Sequence, residues 1–183
     1  MTERLFIALP LPESVRMLVA GLAVPARDLR WTPPEQLHLT LRFLGDTPAE
    51  KIDPLVPRLA DIHVEPFLLS LEGAGAFPPK SAPRILWLGL GSGHPRLHQL
   101  RQRADDALLA AGLDVDLRNF HPHLTVARCA DTPAAASAAA QWLKSHHDFA
   151  GPSFRIESLE LRASELRPAG ALHRTLASFP LAK

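Results

Sequence analysis

The sequence of 183 residues contains a single cysteine, Cys129. One cysteine excludes an internal disulfide and a cysteine-built zinc site, and its place in an apolar stretch suits a small buried side chain better than a nucleophile. An excess of either charge is missing as well. The formal net charge is +1, so composition supplies no bulk attraction to nucleic acid, and any anion site must be built locally. Long apolar runs are also absent. The opening residues, MTERLFIALP, are too short an apolar run for a secretory signal, and no stretch approaches the roughly 20 apolar residues of a membrane span. The expectation is a cytoplasmic, monomeric protein with no membrane attachment.

What the chain does have is a repeat. Residues 123–134, HLTVARCADTPA, match residues 38–49, HLTLRFLGDTPA, at seven of twelve positions with an offset of 85. Each copy is a short apolar run that closes on a proline-marked turn. Around the two copies the order strand, helix, histidine strand, helix, strand occurs twice, which predicts one two-lobed domain over residues 1–183.

In the first half a strand is expected over Arg4–Leu9, and a helix carries Val15, Leu18, Val19 and Leu22. Prolines 33 and 34 force an extended approach to the first histidine strand. Thr47-Pro48-Ala49-Glu50 has capping-box spacing, and Pro54 and Pro57 predict a short or broken helix ending near Ala60. A strand over Phe67–Leu71 leads into a glycine- and proline-rich loop. In the second half, Arg84–Leu90 reads as a buried strand, and Leu97, Leu100, Ala104, Ala107, Leu108 and Ala111 stripe a helix closed by Gly112. Asp131-Thr132-Pro133 starts an alanine-rich helix. Phe154–Leu161 reads as a strand, Ser164–Gly170 as a loop and Leu172–Phe179 as the closing strand.

Side chains alternate along a strand, so His38 and Thr40 share one face, as do His123 and Thr125. Leu39, Leu41, Leu124 and Val126 point the other way, into a core. If the halves pack as pseudo-equivalents, two imidazoles and two hydroxyls converge on one cleft. An unperturbed imidazole titrates near ~6.5, so such a pair can remove one proton and deliver another. Phosphodiester cleavage needs both transfers, with hydroxyls and a guanidinium to meet charge on the phosphate oxygens. Two arginines compete for that last role. Arg42, at His38 plus four, lies on the histidine face by strict alternation, whereas Arg128, at His123 plus five, reaches it only across a bulge or at a strand end.

The paired His-x-Thr motifs half a chain apart, with Phe120-His121-Pro122-His123 before the second, resemble the two-histidine phosphoesterase superfamily. The stretches RLFIALP (4–10), WTPPEQLHLTLRFLG (31–45) and FPL (179–181) look like its RNA 2′,3′-cyclic phosphodiesterase branch, once called 2′-5′ RNA ligases. The resemblance implies an α+β, bilobal, pseudo-symmetric fold, with two antiparallel sheets around a central groove and helices outside. It further implies opening of a terminal 2′,3′-cyclic phosphate to a 2′-phosphomonoester with no metal and no cofactor, and 2′-5′ ligation as a minor reverse reaction. Partners would be RNA ends or nucleotides carrying the cyclic phosphate. By analogy His38 is the proton donor and His123 the proton acceptor, while Thr40, Thr125 and Arg128 hold the phosphate, Arg128 being preferred over Arg42 because the family's motif continues to arginine there. Phe6 could contact the terminal base or be a core residue. The chain departs from the family at His173, where relatives often carry an aromatic.

Two other readings compete. One is an RNA-end or nucleotide binding module without turnover. The other is a metal-dependent hydrolase built on His121 and His123, with His94 and His98, one helical turn apart, as a further candidate pair.

Overall fold

The computed structural model describes residues 2–91, 94–115, 120–167 and 170–182. In chain order the elements are β1 (Thr2–Pro10), α1 (Glu13–Ala20), β2 (Leu29–Trp31), a 3₁₀ turn (Pro34–Gln36), β3 (His38–Pro48), α2 (Ala49–Ala60), β4 (Phe67–Leu69) and β5 (Leu71–Phe77). The second half runs β6 (Ile85–Leu90), α3 (Pro95–Ala110), β7 (His123–Cys129), α4 (Pro133–His146), β8 (Phe154–Ile156), β9 (Ser158–Arg167) and β10 (Gly170–Pro180).

The α+β class and the two-fold order of elements agree with expectation. Strands β10, β9, β1 and β3 form one antiparallel half-sheet, and β7, β6 and β5, with β2 against β7, form the other. The halves meet through one residue pair, Leu39 with Leu124. Each half-sheet borrows from the opposite half of the chain: β5 crosses to β6, and β9 crosses to β1. Strands β4 and β8 pair separately.

The helices cover one side, α2 and α3 against β3 and α4 against β2, β5 and β7. Between helices and sheet lies an apolar core that includes Leu5, Ile7, Leu9, Leu39, Leu41, Leu86, Leu88, Leu124 and Val126. The opposite, concave side carries the histidines.

Local chemistry explains where the elements depart from expectation. Helix α2 is continuous through Pro54 and Pro57. Both prolines face solvent while Leu55 and Leu59 are fully buried, so the carbonyls of Glu50 and Asp53 that lose their helical donors can turn to water. Thr47 does not cap α2; it ends in β3, donates its hydroxyl to Gly45 O at 3.1 Å, and leaves Pro48 as the N-cap. Its counterpart Thr132 does cap α4, accepting from Ala135 N at 3.0 Å. Gly73 and Gly75, expected in a loop, belong to β5. A side chain at Gly75 would strike the Trp87 ring, with its Cβ 2.1 Å from the ring carbons, so glycine here makes room for a neighbouring strand's indole. The expected 164–170 loop is largely strand as well; of its residues Pro168 and Ala169 lie outside the described residues. Cys129 is buried, and burial pushes its thiol up, in keeping with the structural role expected of it.

Candidate active site

On the concave side a groove of about 590 Å³ is lined by His38, Thr40, His123, Thr125 and Arg128, together with Arg4, Arg30 and Trp31. The two motif strands therefore bring both histidines and both threonines to one cavity.

Both imidazoles are held in the same way. His38 donates Nδ1–H to Gln36 O at 2.7 Å, and His123 donates Nδ1–H to His121 O at 2.7 Å. Each acceptor lies two residues upstream, so the strand's own backbone sets the ring. With Nδ1–H committed, the nitrogen left with a lone pair is Nε2 in both.

A bulge decides which of the two arginines faces the groove. In the β1–β3 ladder Ala8 pairs with Thr40 and Ile7 with Arg42, leaving Leu41 as the extra residue. In the β6–β7 ladder Trp87 pairs with Thr125 and Leu86 with Ala127, leaving Val126 extra. Each bulge shifts parity by one. Position plus four turns into the core and position plus five turns to the groove. Arg42 is accordingly 5% exposed and donates Nε–H to Asp105 Oδ1 on α3 at 2.7 Å. The expectation that Arg42 binds substrate is thus corrected, because strict alternation does not survive the bulge. Arg128 lies in the groove wall.

Of its two expected places Phe6 takes the core one. It is 2% exposed, with its ring centroid 5.0 Å from His38 and 4.9 Å from His173. It lines the groove beside the imidazoles with almost no accessible surface of its own. The exposed groove aromatic is Phe43, 66% accessible and 6.1 Å from Phe6. At His38 plus five it is the positional counterpart of Arg128, a relationship visible only once the bulge is known.

The surroundings of the two histidines differ. Around His38 stand His173 and Arg162, the latter 9% exposed and donating to Glu160 Oε2 at 2.6 Å. Burial lowers His38 to about 3, with the Arg162 guanidinium and the imidazoles of His173 and His123 adding to it, against the opposing pull of the Gln36 carbonyl. His123 has aromatic neighbours, Phe77 at 5.0 Å and Trp87 at 6.2 Å, and is also lowered, by burial first and then by His121.

His94, His98, His121 and Glu72 line a second cavity of about 400 Å³ on the Trp87 side. Among the described residues no three His, Cys, Asp or Glu side chains are grouped so as to hold a metal ion. Among those residues, too, no helix is long and apolar enough to cross a membrane.

Two antiparallel half-sheets that present His-x-Thr pairs across a common groove define a two-histidine phosphoesterase. The chain belongs to the 2′-5′ RNA ligase superfamily, whose sequence profile matches residues 12–167. It is 32% identical over 165 residues to an RNA 2′,3′-cyclic phosphodiesterase of Aeropyrum pernix, covering 88% of this chain and 90% of that protein. To the Thermus thermophilus protein of the same name it is 34% identical over 192 residues, covering 97% and 90%. Among solved structures, Escherichia coli LigT complexed with 3′-AMP superposes with a TM-score of 0.78 at 26% identity over the full length of both chains.

Proposed function

We propose that the protein hydrolyses RNA ends carrying a 2′,3′-cyclic phosphate to 2′-phosphomonoesters, with His38 and His123 as the acid–base pair. The observation that carries this reading is the matched anchoring of the two rings, each held through Nδ1–H with Nε2 facing one groove.

The phosphate sits between the two Nε2 atoms, against the hydroxyls of Thr40 and Thr125 and the guanidinium of Arg128. His123 Nε2 takes a proton from water as the water oxygen bonds to phosphorus. The bond from phosphorus to the 3′ oxygen breaks, and His38 Nε2 protonates that oxygen. The products are a 2′-phosphate and a free 3′ hydroxyl, and both imidazoles reset by proton exchange with solvent. Charge that builds on the non-bridging oxygens is met by the two threonines and Arg128. No step calls for a metal or a cofactor.

Electrostatics tie the proton inventory to substrate entry. In the empty groove His38 is neutral, and an anionic phosphate against Nε2 shifts it toward the imidazolium that the acid role needs. Among the described residues of the lining, Arg4, Arg30 and Arg128 stand against a single carboxylate, Glu35, which concentrates positive charge where an RNA end enters while the chain as a whole stays near neutral. Phe43 takes the base-stacking role first considered for Phe6. The same groove run in reverse joins ends through a 2′-5′ linkage, and in water hydrolysis dominates.

The test is hydrolysis of a short RNA ending in a 2′,3′-cyclic phosphate with chelator present, resolving 2′- from 3′-monophosphate products. The expected product is the 2′-phosphate, formed at the same rate with or without chelator. A 3′-phosphate would exchange the leaving-group assignment, and no product would leave a nucleotide-binding groove without turnover.

A further inference from the structure

The acid–base reading leaves a third imidazole in the groove unused. His173 rises from β10, where it pairs with Ser164 of β9, and lines the same cavity as His38, Thr40, His123 and Arg128. Its ring stands edge-on to His38, with centroids 5.2 Å apart and planes at 87°, and packs on Phe6 at 4.9 Å. One residue ties the two histidines together: Gln36 accepts the His173 main-chain N–H on Oε1 at 2.9 Å and the His38 Nδ1–H on its main-chain oxygen at 2.7 Å. The place of His173 relative to His38 is therefore built by hydrogen bonds and not by packing alone.

The nitrogens of His173 are used differently from those of the catalytic pair. Its Nδ1 is buried and has no hydrogen-bond partner. A proton on that atom would be an orphaned donor and would leave Nε2 a bare lone pair facing an anion, which is unfavourable on both counts. The proton belongs on Nε2, at the far edge of a ring that lines the groove. Burial and the guanidiniums of Arg162 and Arg128 hold this imidazole below its usual range, so it stays neutral near pH 7. His38 and His123 thus offer Nε2 as the site of proton exchange, and His173 offers it as a standing donor.

We propose that His173 is a substrate-contacting residue that donates its Nε2–H to an oxygen of the terminal phosphate bound between His38 and His123. This rests on the phosphodiesterase reading for the identity of the substrate, and deepens it by adding a neutral donor on the His38 side of the groove to the charged donor Arg128.

Two variants separate donation from packing. His173→Phe keeps a ring against Phe6 and His38 and loses the donor; His173→Gln loses the ring and keeps an N–H near the position of Nε2. Adenosine 2′-monophosphate is titrated calorimetrically into the wild type and both variants, and hydrolysis of a cyclic-phosphate RNA end is followed in parallel. Expected are binding about tenfold or more weaker and a matching rise in KM for His173→Phe, with most of the loss recovered by His173→Gln. Wild-type binding by His173→Phe, or equal weakening in both variants, overturns the proposal. If the wild type binds the nucleotide with this Phe/Gln contrast yet opens no cyclic phosphate, the phosphodiesterase reading falls and the donor role stands. If hydrolysis proceeds and the contrast is missing, only the donor role falls.

Discussion

Leu41 and Val126 occupy the same place in the two motif strands, each the unpaired extra residue of a β-bulge three positions after the histidine. At Leu41 the carbonyl accepts from Arg101 Nη1 of α3 at 3.4 Å, which gives the bulged backbone a partner. The bulge makes the groove face read His, Thr, then position plus five, and so selects Phe43 in one strand and Arg128 in the other.

On the proposed acid–base mechanism, removing either imidazole removes one of the two proton transfers. His38→Ala and His123→Ala are each expected to lower kcat by on the order of 10²- to 10⁴-fold. Neither anchoring bond spans distant elements, so thermal unfolding followed by circular dichroism is expected to show both variants folded. Near-wild-type turnover in both would end the acid–base assignment.

Acid weakens the fold through His38. Its folded-state value of about 3 lies below its ordinary 6.5, so between those limits the unfolded chain binds the extra proton and stability falls as pH falls. The stability is fully present above 6.5 and is lost on the way down to 3. Melting temperature measured from pH 7 to 4 is expected to drop, and more steeply in the wild type than in His38→Gln.

Phosphate entry acts in the opposite direction on the same group. An anion beside Nε2 raises His38, so on binding a nucleoside 2′-monophosphate near pH 6 the wild type is expected to take up more protons than His38→Gln, the ligand's own phosphate ionisation being common to both. Calorimetry in buffers of different ionisation enthalpy reads the difference. The same buffer dependence in both proteins would contradict the coupling.

Arg42→Ala is a stability variant. It removes one guanidinium beside Asp105, whose side chain, like that of Arg42, is largely buried, and is expected to cost about 3 kcal/mol in denaturant unfolding. KM measured well below the melting transition is expected to equal the wild-type value, whereas Arg128→Ala is expected to raise it with little loss of stability.

The two phenylalanines should part company in the same way. Phe43→Ala removes an exposed stacking surface and is expected to raise KM about five- to a hundredfold with the melting temperature unchanged. Phe6→Ala opens a hole behind His38 and is expected to cost about 3 to 5 kcal/mol of stability.

The histidines and threonines were legible in the sequence because alternation over three residues is insensitive to what the strand does later. Arg42 and Arg128 were not separable on those grounds, since a bulge adds one residue without any compositional mark; Leu41 and Val126 look like ordinary core residues. Phe43 was hidden by the same shift. The second half of the 38–49 and 123–134 repeat misled for another reason: identical Asp-Thr-Pro-Ala segments cap a helix at Thr132 but extend a strand through Thr47, because β3 continues pairing with β1 as far as Pro48. His173 stood out as a departure from the family pattern, yet its nearness to His38 depends on β9 crossing back to β1, a pairing between residues some 150 positions apart that no local pattern encodes.

The exchange of strands between the halves has a mechanical consequence. A chain cut in the exposed segment between β5 and β6 yields one fragment that holds β1, β3 and β5 and another that holds β6, β7, β9 and β10. Each fragment then carries strand edges whose partners lie on the other, and each carries one of the two motif histidines. Neither piece can complete a sheet by itself, and the two together are complementary halves of a split enzyme, in which recovery of turnover on mixing would report reassembly of the fold.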